Sequence, residues 1–505
     1  MEQADFSFWV FLLQIFAVAI LSLLVIGAVA VAWMYVVDVR QKVHTIRSNY
    51  PVIGRFRYFF EHLGEFFRQY FFAMDREEMP FNRAQRSWVY RAAKNTNNTV
   101  AFGSTANAAA PGTILFVPHP FPSLDTHRRP AESIIIGPHC PSPYAARSFF
   151  NVSAMSFGAI SEAAVRALSE GCATAGSWLN TGEGGLSPYH LSGGCDLVFQ
   201  IGTANYGVRD DAGNWSDAKM LDIAAHEQVK MIEIKLSQGA KPGKGGILPG
   251  VKVSEEIALI RGIPAGQASI SPNGHPDIRN VEDLLDRITH IRQLTGKPVG
   301  FKLVVGGLRF FEQLFEAILR RGIEHAPDFM TIDSGDGGTG AAPQSLMDHA
   351  GLTIRESLPG VIDKLAEYGL RERIRVIVAG KLITPVDVAW GLCVGADFVV
   401  SARGFMFALG CIQAMQCNKN TCPTGVATQD PELQKGLDVG NKAARVAHYV
   451  ANMVEEVTVI AHSCGVDEPG QLNRSHAHMV IGPGRSEALD SYYARVGSQG
   501  APIAV

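Results

Sequence analysis

The sequence predicts an α/β fold, namely a closed (β/α)8 TIM barrel preceded by one transmembrane helix and an N-terminal extension. Three observations lead to this prediction. An uncharged apolar run lies near the N-terminus, short apolar runs alternate with helical stretches from about residue 149, and glycine-containing polar segments follow those runs. Alternating strands and helices are typical of a parallel sheet, and eight such units are the number that closes a barrel.

The 505 residues divide into a membrane anchor at 1–40, an extension at 41–148, the barrel with a cysteine-bearing loop at 149–470, and a C-terminal tail at 471–505. The net charge is −3 and no long basic block is present. Nucleic-acid binding depends on concentrated positive charge, so this composition argues against a nucleic-acid partner.

The anchor is the run from Phe6 to Val37, which contains no charged residue. Crossing a bilayer takes ~20 apolar residues, so this run is long enough to span one. Glu2 and Asp5 precede it, whereas Arg40 and Lys42 follow it. This asymmetry predicts a single-pass protein of the cell membrane with the C-terminal bulk in the cytoplasm. The acidic start and the lack of a small-residue cleavage site argue against a cleaved signal peptide.

The extension contains an aromatic run from residue 56 to residue 72, in which Arg and Glu recur. Two interpretations stay open for this segment. It is either an amphipathic helix that lies on the membrane surface or a helix that packs against the core.

The barrel is predicted from eight apolar runs, and almost every run is followed at once by glycine together with a polar or charged residue. The loops at the carboxyl ends of barrel strands carry the chemistry in such folds, so we expect the site there. An open doubly wound sheet is the alternative, but its G-x-G-x-x-G after the first strand is absent. The predicted strands are Phe149–Ala154, Trp178–Asn180, Leu197–Ile201, Met231–Leu236, Val299–Val304, Phe329–Asp333, Val376–Ala379 and Phe398–Ser401.

The last two strands are followed by Gly380 and by the pair Ala402–Arg403. In many phosphate-binding barrels the loops after strands seven and eight hold the phosphate. Glycine lets backbone N–H groups approach the oxygens, and a guanidinium group pairs with them. These three residues are therefore predicted to hold a flavin or substrate phosphate.

Three of the eight cysteines, Cys411, Cys417 and Cys422, form a C-x5-C-x4-C motif followed by proline. Thiolates bind iron–sulfur clusters, and three of them suit a 3Fe–4S cluster. A structural zinc site usually has four ligands, so zinc stays open only if a distant Cys or His completes the set. The five scattered cysteines are expected to be buried.

Longer motifs carry a family resemblance. They are MSFGAISEAA from residue 155, NTGEGG from 180, EIKLSQGAKPGKGGILPGVKV from 233, SPNGHPDI from 271, SGDGGTGAAP from 334 and GCIQAMQCNKNTCPTGVATQ from 410. On these motifs, residues from about 150 to 465 resemble the FMN-binding synthase domain of glutamate synthases. The whole chain is similar to short, stand-alone members of that family that carry an N-terminal anchor.

The resemblance implies two cofactors, FMN and a 3Fe–4S cluster held by the three cysteines. It implies electrons from a ferredoxin-like or membrane redox protein, and reduction of the imine of 2-oxoglutarate and ammonia to L-glutamate. Lys241 and Lys252 are the implied carboxylate holders, and Glu183 and Asp336 either handle protons or orient those lysines; a purely structural role for each carboxylate stays open. The implied flavin contacts are Ala154, Met155 and Ser156 along the ring and Gln200 and Lys302 at its polar edge.

Two departures from the family pattern leave the substrate open. Glu2 stands where the larger enzymes have the nucleophilic cysteine of a glutaminase domain, so ammonia would come from solution or from a separate amidotransferase. Asn205 stands where the family often has a basic residue. Two alternatives therefore remain: an N-methylglutamate synthase-like transferase that uses another amine, and a membrane electron-transfer subunit that retains the barrel.

Overall fold

The computed structural model describes residues 2–127 and 132–499 of the chain. The chain separates into two compact units, Met1–Ala84 and Gln85–Val505. The first unit is helical and the second contains the barrel.

The helices of the first unit are α1 Glu2–Arg40, α2 Thr45–Asn49 and α3 Gly54–Phe67, and α3 continues into a π-helical turn at Arg68–Phe72. Within α1, residues Phe8–Arg40 have a hydropathy of 2.9 in their most apolar window, and that window is not buried. By length and composition alone, this helix is able to cross a membrane.

The strands lie in the second unit. In chain order they are β1 Ile114–Phe116, β2 Ile134–Ile136, β3 Tyr144–Ala146, β4 Phe150–Val152, β5 Leu179–Asn180, β6 Leu197–Ile201, β7 Val229–Lys235, β8 Ile247–Leu248, β9 Ser269–Ile270, β10 Val299–Val304, β11 Phe329–Asp333, β12 Arg375–Ala379, β13 Phe398–Ser401, β14 Ala477–Gly482 and β15 Arg485–Ala488.

Eight of these strands form a closed parallel barrel in the order β4-β5-β6-β7-β10-β11-β12-β13, and β13 returns to pair with β4. The predicted fold class is thereby confirmed. The bounds of β6, β10, β11 and β13 agree with those predicted. The first strand is shorter than predicted because its ladder with β13 ends with the hydrogen bond from the N–H of Ser153 to the carbonyl of Ser401.

The remaining helices surround the barrel or follow it. They are α4 Arg83–Ala93, α5 Glu162–Ala175, α6 Pro188–Leu191, α7 Asp217–Ala225, α8 Glu255–Arg261, α9 Val281–Thr295, α10 Arg309–Arg321, α11 Gln344–His349, α12 Ile354–Glu367, α13 Pro385–Val394, α14 Arg403–Leu409, α15 Pro431–Gln434, α16 Val439–Ser463 and α17 Leu489–Gln499.

Local sequence signals set the ends of the crossover helices. The side chain of Ser161 accepts a hydrogen bond from the N–H of Ala164 and begins α5, and Gly176 ends that helix with φ of 68°. Asn280 and Gly296 begin and end α9 in the same manner. Hydroxyl and amide side chains satisfy the free N–H groups at a helix start, and glycine adopts the left-handed conformation at a helix end without a Cβ clash.

One end of the barrel is closed by apolar packing. Trp178 and Phe398, at the beginnings of their strands, are buried and pack edge to face with ring centroids 5.0 Å apart. Ile136 of β2 and Tyr144 of β3 belong to the same buried cluster, so the β2–β3 hairpin covers this end. The opposite end, where the strands finish, is therefore the end available to ligands.

Residues 471–505, which the sequence predicts as a tail, contribute β14, β15 and α17 in their described part. β14 pairs with β1 in an antiparallel ladder, with Leu115 opposite His478. The segment after the barrel thus closes onto the segment that precedes it.

Candidate functional site

A charged cluster lies where β5 and β7 end. Glu183 stands in the 3-10 turn just after β5, and Lys235 is the last residue of β7. The Nζ atom of Lys235 lies 2.7 Å from Oε1 of Glu183. Burial raises the pKa of Glu183, but the positive charge and the hydrogen bond of Lys235 outweigh it, so the pKa lies below its usual range. Glu183 is thus an ionised carboxylate inside the site.

Glycines in two other loops make room for this carboxylate. A Cβ atom on Gly202 would lie 2.5 Å from Oε2 of Glu183, and one on Gly246 would lie 2.6 Å from its Oε1. Carbon atoms do not approach oxygen that closely, so neither position accepts a side chain without displacing Glu183. The glycines after β6 and before β8 therefore leave the space that the negatively charged carboxylate of Glu183 occupies.

Lys241 is the second cation of the cluster and lies in the long loop after β7. Its side chain is buried, and among residues 2–127 and 132–499 no hydrogen bond or ion pair of its ammonium group is formed. Burial lowers its pKa to about 8, with further lowering by Lys235 and a smaller opposing effect of Glu183. A buried cation without an acceptor is costly, so this position favours an anionic ligand.

Arg261, at the end of α8, is a third cation that the sequence analysis missed. It is buried, and its Nη2 atom donates to the carbonyl of Phe157 at 3.2 Å and to Oγ of Ser156 at 3.4 Å. Glu183 raises its pKa, whereas burial, the larger effect, lowers it. Lys235 was also missed, although it lies inside a quoted motif. A lysine as the last residue of an apolar strand is the signal that could have found it.

A polar network lies deeper in the barrel. Glu233 accepts hydrogen bonds from Asn180 at 2.9 Å, from Gln200 at 2.7 Å and from Thr331 at 2.5 Å. Gln200 and Glu233 are register partners on β6 and β7. The predicted flavin residue Gln200 therefore has its amide orientation fixed by a buried carboxylate.

Lys302 is anchored in the same layer and lies beside Lys235 in the register of β10 and β7. Its Nζ atom is 3.2 Å from Oδ2 of Asp333. Burial lowers the pKa of Lys302, but Asp333 and Glu233 outweigh it and the pKa lies above its usual range. Lys302 is therefore a fixed cation on the same side of the sheet as its register partner Lys235.

The loop after β4 carries the predicted ring contacts Ala154, Met155 and Ser156. The N–H of Met155 donates to the carbonyl of Asn180 at 3.3 Å. A Cβ atom on Gly182 would lie 2.6 Å from the N atom of Ser156, so the loops after β4 and β5 touch. The loop that carries these three residues thus lies against the loop that carries Glu183.

The predicted phosphate-binding residues meet after β12 and β13. Gly380 and Lys381 both have positive φ, 127° and 55°. The Nη2 atom of Arg403 donates to the carbonyl of Asp336 at 3.3 Å, and Ala402 directly precedes α14. Asp336 thus links the two loops, because its carbonyl accepts from Arg403 and its carboxylate pairs with Lys381.

Asp336 belongs to this end of the site rather than to the Glu183 cluster. Its Oδ2 atom lies 2.8 Å from Nζ of Lys381, and its Oδ1 atom accepts a hydrogen bond from Ser334. Burial raises the pKa of Asp336, but Lys381 and Ser334 outweigh it, and the carboxylate stays ionised. The lysine that Asp336 holds is therefore Lys381, and not Lys241 or Lys252, which the resemblance gave as one of several options for this carboxylate.

Lys252 has a different environment from the one expected of a substrate-binding lysine. Its buried Nζ atom donates to three carbonyl groups, those of Ala159 at 2.7 Å, Ala427 at 3.0 Å and Cys417 at 3.3 Å. An ammonium group has three N–H donors, so none is left for a carboxylate. Lys252 therefore links the loop after β4 to the cysteine loop. The expectation that it binds a substrate carboxylate is corrected accordingly.

Cys411, Cys417 and Cys422 lie on one irregular loop between α14 and α15. Three non-glycine residues of this loop have positive φ, namely Gln413, Met415 and Asn420. The N–H of Gln413 points at Sγ of Cys411 at 3.4 Å. Burial raises the pKa of Cys411 to about 12. Among residues 2–127 and 132–499 no three His, Cys, Asp or Glu side chains are arranged as a metal site.

Helix α4 supports the cysteine loop from the amino-terminal side of the barrel unit. The hydroxyl group of Tyr90 donates to the carbonyl of Cys411 at 2.7 Å, and its ring packs edge to face on Phe407. The indole N–H of Trp88 donates to Glu456 of α16 at 3.0 Å. Residues of the predicted extension are therefore part of the site's framework.

The position of Gly380 gives a stability prediction. A Cβ atom there would overlap Cβ of Ser334, and φ is 127°. Gly380→Ala is expected to lower the free energy of unfolding by about 2–3 kcal/mol, because backbone strain adds to overpacking. Denaturant titration in detergent measures it. Gly340→Ala, where a Cβ atom meets nothing within 4 Å, is the control and should change stability by less than about 0.5 kcal/mol. Equal effects of the two variants would contradict the close approach of these loops.

Comparison with known proteins gives consistent family assignments. Residues 122–467 match the family model described as a conserved region in glutamate synthase. The glutamate synthase large subunit-like protein YerD of Bacillus subtilis is 40% identical over 495 residues, which cover 90% of this chain and 94% of that protein. The archaeal-type glutamate synthase (NADPH) of Thermotoga maritima is 34% identical over 337 residues, which cover 66% of this chain and 62% of that protein.

Among solved structures, a variant of flavocytochrome b2 with benzoylformate resembles the chain with a TM-score of 0.46 and 14% sequence identity. The match covers 84% of this chain and 86% of that one.

Proposed function

The chain belongs to the glutamate synthase family of oxidoreductases, and on this premise we propose that it uses FMN and an iron–sulfur cluster to reduce the imine of 2-oxoglutarate and ammonia to L-glutamate. The observation that carries the proposal is the cluster of Lys235, Lys241 and Arg261 around Glu183. All three cations act on the Glu183 carboxylate.

The charge of this cluster fits a dicarboxylate. Three cations face one carboxylate at the mouth of the barrel, which leaves an excess of two positive charges when Lys241 is protonated. 2-Oxoglutarate carries two negative charges, so it neutralises the cluster and supplies acceptors to the ammonium group of Lys241. The deeper Lys302 faces two carboxylates, Asp333 and Glu233, so that layer has a formal charge of −1 and is counted apart from the cluster.

Glu183 is suited to orient the nitrogen of the substrate. Its carboxylate is ionised and held by Lys235, and Gly202 and Gly246 leave the space that its oxygens occupy. An ionised carboxylate accepts hydrogen bonds from an iminium or amine nitrogen, so Glu183 would hold that group over the ring.

The residues present fit FMN. Gly380, Lys381, Ala402 and Arg403 offer N–H groups and cations for its phosphate, and the loop that contains Met155 offers a wall for its ring. Once bound and reduced by the electron donor, FMN would supply the hydride for the imine carbon. The chain's own contribution is to fix Gln200 and Lys302 at the polar edge of the ring, through Glu233 and Asp333 respectively.

The cysteine loop carries the donor types of an iron–sulfur cluster, although in the part of the chain that the structure describes its three side chains are not arranged as a metal site. Three sulfur atoms lie on one loop, and the N–H of Gln413 is directed at one of them. N–H groups directed at sulfur tune the potential of such clusters. Lys252 ties this loop to the flavin-side loop after β4 through carbonyl contacts at 2.7 and 3.3 Å. A cluster there would pass electrons from a redox partner to the flavin.

The proposal includes a membrane-bound enzyme. Helix α1 serves as the anchor, and the barrel of residues 149–470, with its extension and tail, works in the cytoplasm. Basic residues after the apolar run, such as Arg40 and Lys42, support this orientation. The electron donor is a ferredoxin-like or membrane redox protein, and the ammonia comes from solution or from a separate amidotransferase.

The proposal predicts a pH dependence of substrate binding. The pKa of Lys241 is lowered to about 8 by burial. The ammonium group attracts 2-oxoglutarate below that pH and loses its charge as the pH rises through it. The Kd of 2-oxoglutarate, measured by titration calorimetry on the oxidised holoenzyme, should therefore rise about tenfold per pH unit above about 8. Lys241→Arg, which stays charged, should remove this rise. A wild-type Kd that is constant from pH 7 to about 10 would contradict the role of Lys241.

Product analysis tests the function itself. The detergent-solubilised holoenzyme is supplied with reduced viologen, 2-oxoglutarate and isotopically labelled ammonium, and L-glutamate that carries the label is expected. Glutamate with methylamine is tested in parallel. Formation of N-methylglutamate in place of labelled glutamate would support the transferase alternative, and electron transfer to a quinone without either product would support the electron-transfer alternative.

A further inference from the structure

We propose that α3 and the π-helical turn after it lie in the lipid–water interface as a second membrane contact. This inference rests on the proposed membrane anchor. It concerns the first unit alone, and it names the lipid bilayer surface as the partner of an apolar face.

The face is an aromatic stripe with helical spacing. Phe56, Phe59, Phe60 and Phe67 follow the i, i+3, i+4 pattern of one helix side. The rings of Phe59 and Phe60 are 5.3 Å apart, and those of Phe67 and Phe71 are 5.2 Å apart. The stripe therefore continues from α3 into the π-helical turn.

The stripe is exposed, which a core-packing helix would not be. The exposed fraction is 59% for Phe56, 61% for Phe60 and 73% for Phe71. Exposed apolar patches of this kind mark contact sites for membranes or proteins. Of the two interpretations that the sequence leaves open for residues 56–72, the structure favours the amphipathic one.

The connection to α1 determines which partner the stripe meets. The fully buried carboxylate of Asp38, two residues before the end of α1, accepts hydrogen bonds from Arg47 and Arg55, each at 2.8 Å. It also accepts one from the N–H of Val52 at 3.0 Å. Arg55 is the second residue of α3, so the beginning of α3 is fixed at the end of the apolar helix. If that helix spans a bilayer, its end lies in the headgroup region, and α3 begins there.

The polar side of the helix suits a lipid surface as well. Arg57 and Arg68 are exposed along one flank of the stripe, together with Glu61. Helices that lie in the interface carry aromatic residues on one face and basic residues on the other, with the apolar face inserted by about 5–10 Å. Arg57 and Arg68 would reach the phosphates of anionic lipids.

The test places a genetically encoded fluorescent amino acid into the full-length chain at Phe60 or at Phe71. The matched control position is Glu61, on the polar side, and Ile20 reports on the anchor. The proteins are reconstituted in nanodiscs of phosphatidylcholine and phosphatidylglycerol that contain either a shallow or a deep doxyl-lipid quencher.

The expected result is strong quenching by the shallow quencher at Phe60 and Phe71, with little quenching at Glu61. Quenching by the deep quencher is expected only at Ile20. Equal, weak quenching at Phe60, Phe71 and Glu61 would overturn the inference. A blue-shifted emission at Phe60 without quenching would also overturn it, because a protein surface would then cover the stripe. If Ile20 is not quenched, α1 does not span the bilayer and the proposed anchor is wrong. Quenching at Phe60 and Phe71 then tests the interfacial helix independently of that anchor.

Discussion

Lys241→Met is expected to raise the KM for 2-oxoglutarate by about 100-fold, with a much smaller change in kcat. The methionine keeps the apolar bulk of the side chain but removes the buried ammonium group, and a charge-assisted hydrogen bond contributes about 1.5–3 kcal/mol to binding. A contact made equally in ground state and transition state affects KM rather than kcat. Steady-state kinetics with a viologen donor measures both constants.

Lys244→Met is the matched control, because Lys244 lies three residues later in the same loop and is exposed. Its KM should change less than about threefold, since exposed charges interact weakly. Without substrate, Lys241→Met should leave the free energy of unfolding unchanged or higher, because it removes a buried cation that has no acceptor. A similar KM for Lys241→Met and the wild type would contradict the proposed anion site.

Cys422→Ala is expected to abolish the iron–sulfur cluster. The purified protein should lose nearly all its iron and its broad visible absorbance, since a cluster with three protein ligands does not survive the loss of one. Bound FMN should remain, because its proposed site uses Gly380, Ala402 and Arg403 rather than the cysteine loop. Iron analysis, flavin analysis and the visible spectrum measure these outcomes on one anaerobic sample.

Cys464→Ala is the control for this variant. Cys464 is also buried and lies outside the C-x5-C-x4-C motif, at the end of α16. Its iron content should equal that of the wild type. If Cys422→Ala retains its iron while direct chemical reduction still reaches its flavin, the three cysteines are not the cluster ligands, and the electron path through the cysteine loop is wrong.

Much of the fold was predictable because one local pattern repeats. β10 and β11 are apolar runs that end in a charged or glycine-containing loop, and hydrophobic burial alone determines such strands. The first strand was overestimated because nothing local at Ser153 and Ala154 marks the point at which the strand ladder ends. The amino-acid composition of a segment indicates which residues are buried. It does not show which backbone N–H groups form hydrogen bonds with a neighbouring strand.

The site residues that the sequence named correctly lie inside the quoted sequence motifs. Glu183 and Lys241 were named from the sequence, and the structure brings them into one cluster. Lys252 was named for the same reason, yet its three donors are taken by carbonyl groups from Ala159, Cys417 and Ala427. Those carbonyls are up to 175 residues away in sequence, so no local pattern could reveal them.

Arg261 is a site residue that the sequence did not reveal. It lies on a helix with ordinary composition, and nothing near it in sequence marks it as a site residue. Its role arises because α8 brings it to Ser156 and Phe157, about a hundred residues earlier in the chain. Long-range packing of this kind is determined by the whole barrel and not by the segment.

We propose that this barrel, with bound and reduced FMN, reduces an imine made from 2-oxoglutarate and ammonia. The most direct measurement is the visible spectrum of the purified protein, reduced anaerobically with dithionite and then mixed with the two substrates after excess reductant is removed. The flavin band is expected to return when both 2-oxoglutarate and ammonia are present, and not with either alone. A flavin that stays reduced in the presence of both would contradict it.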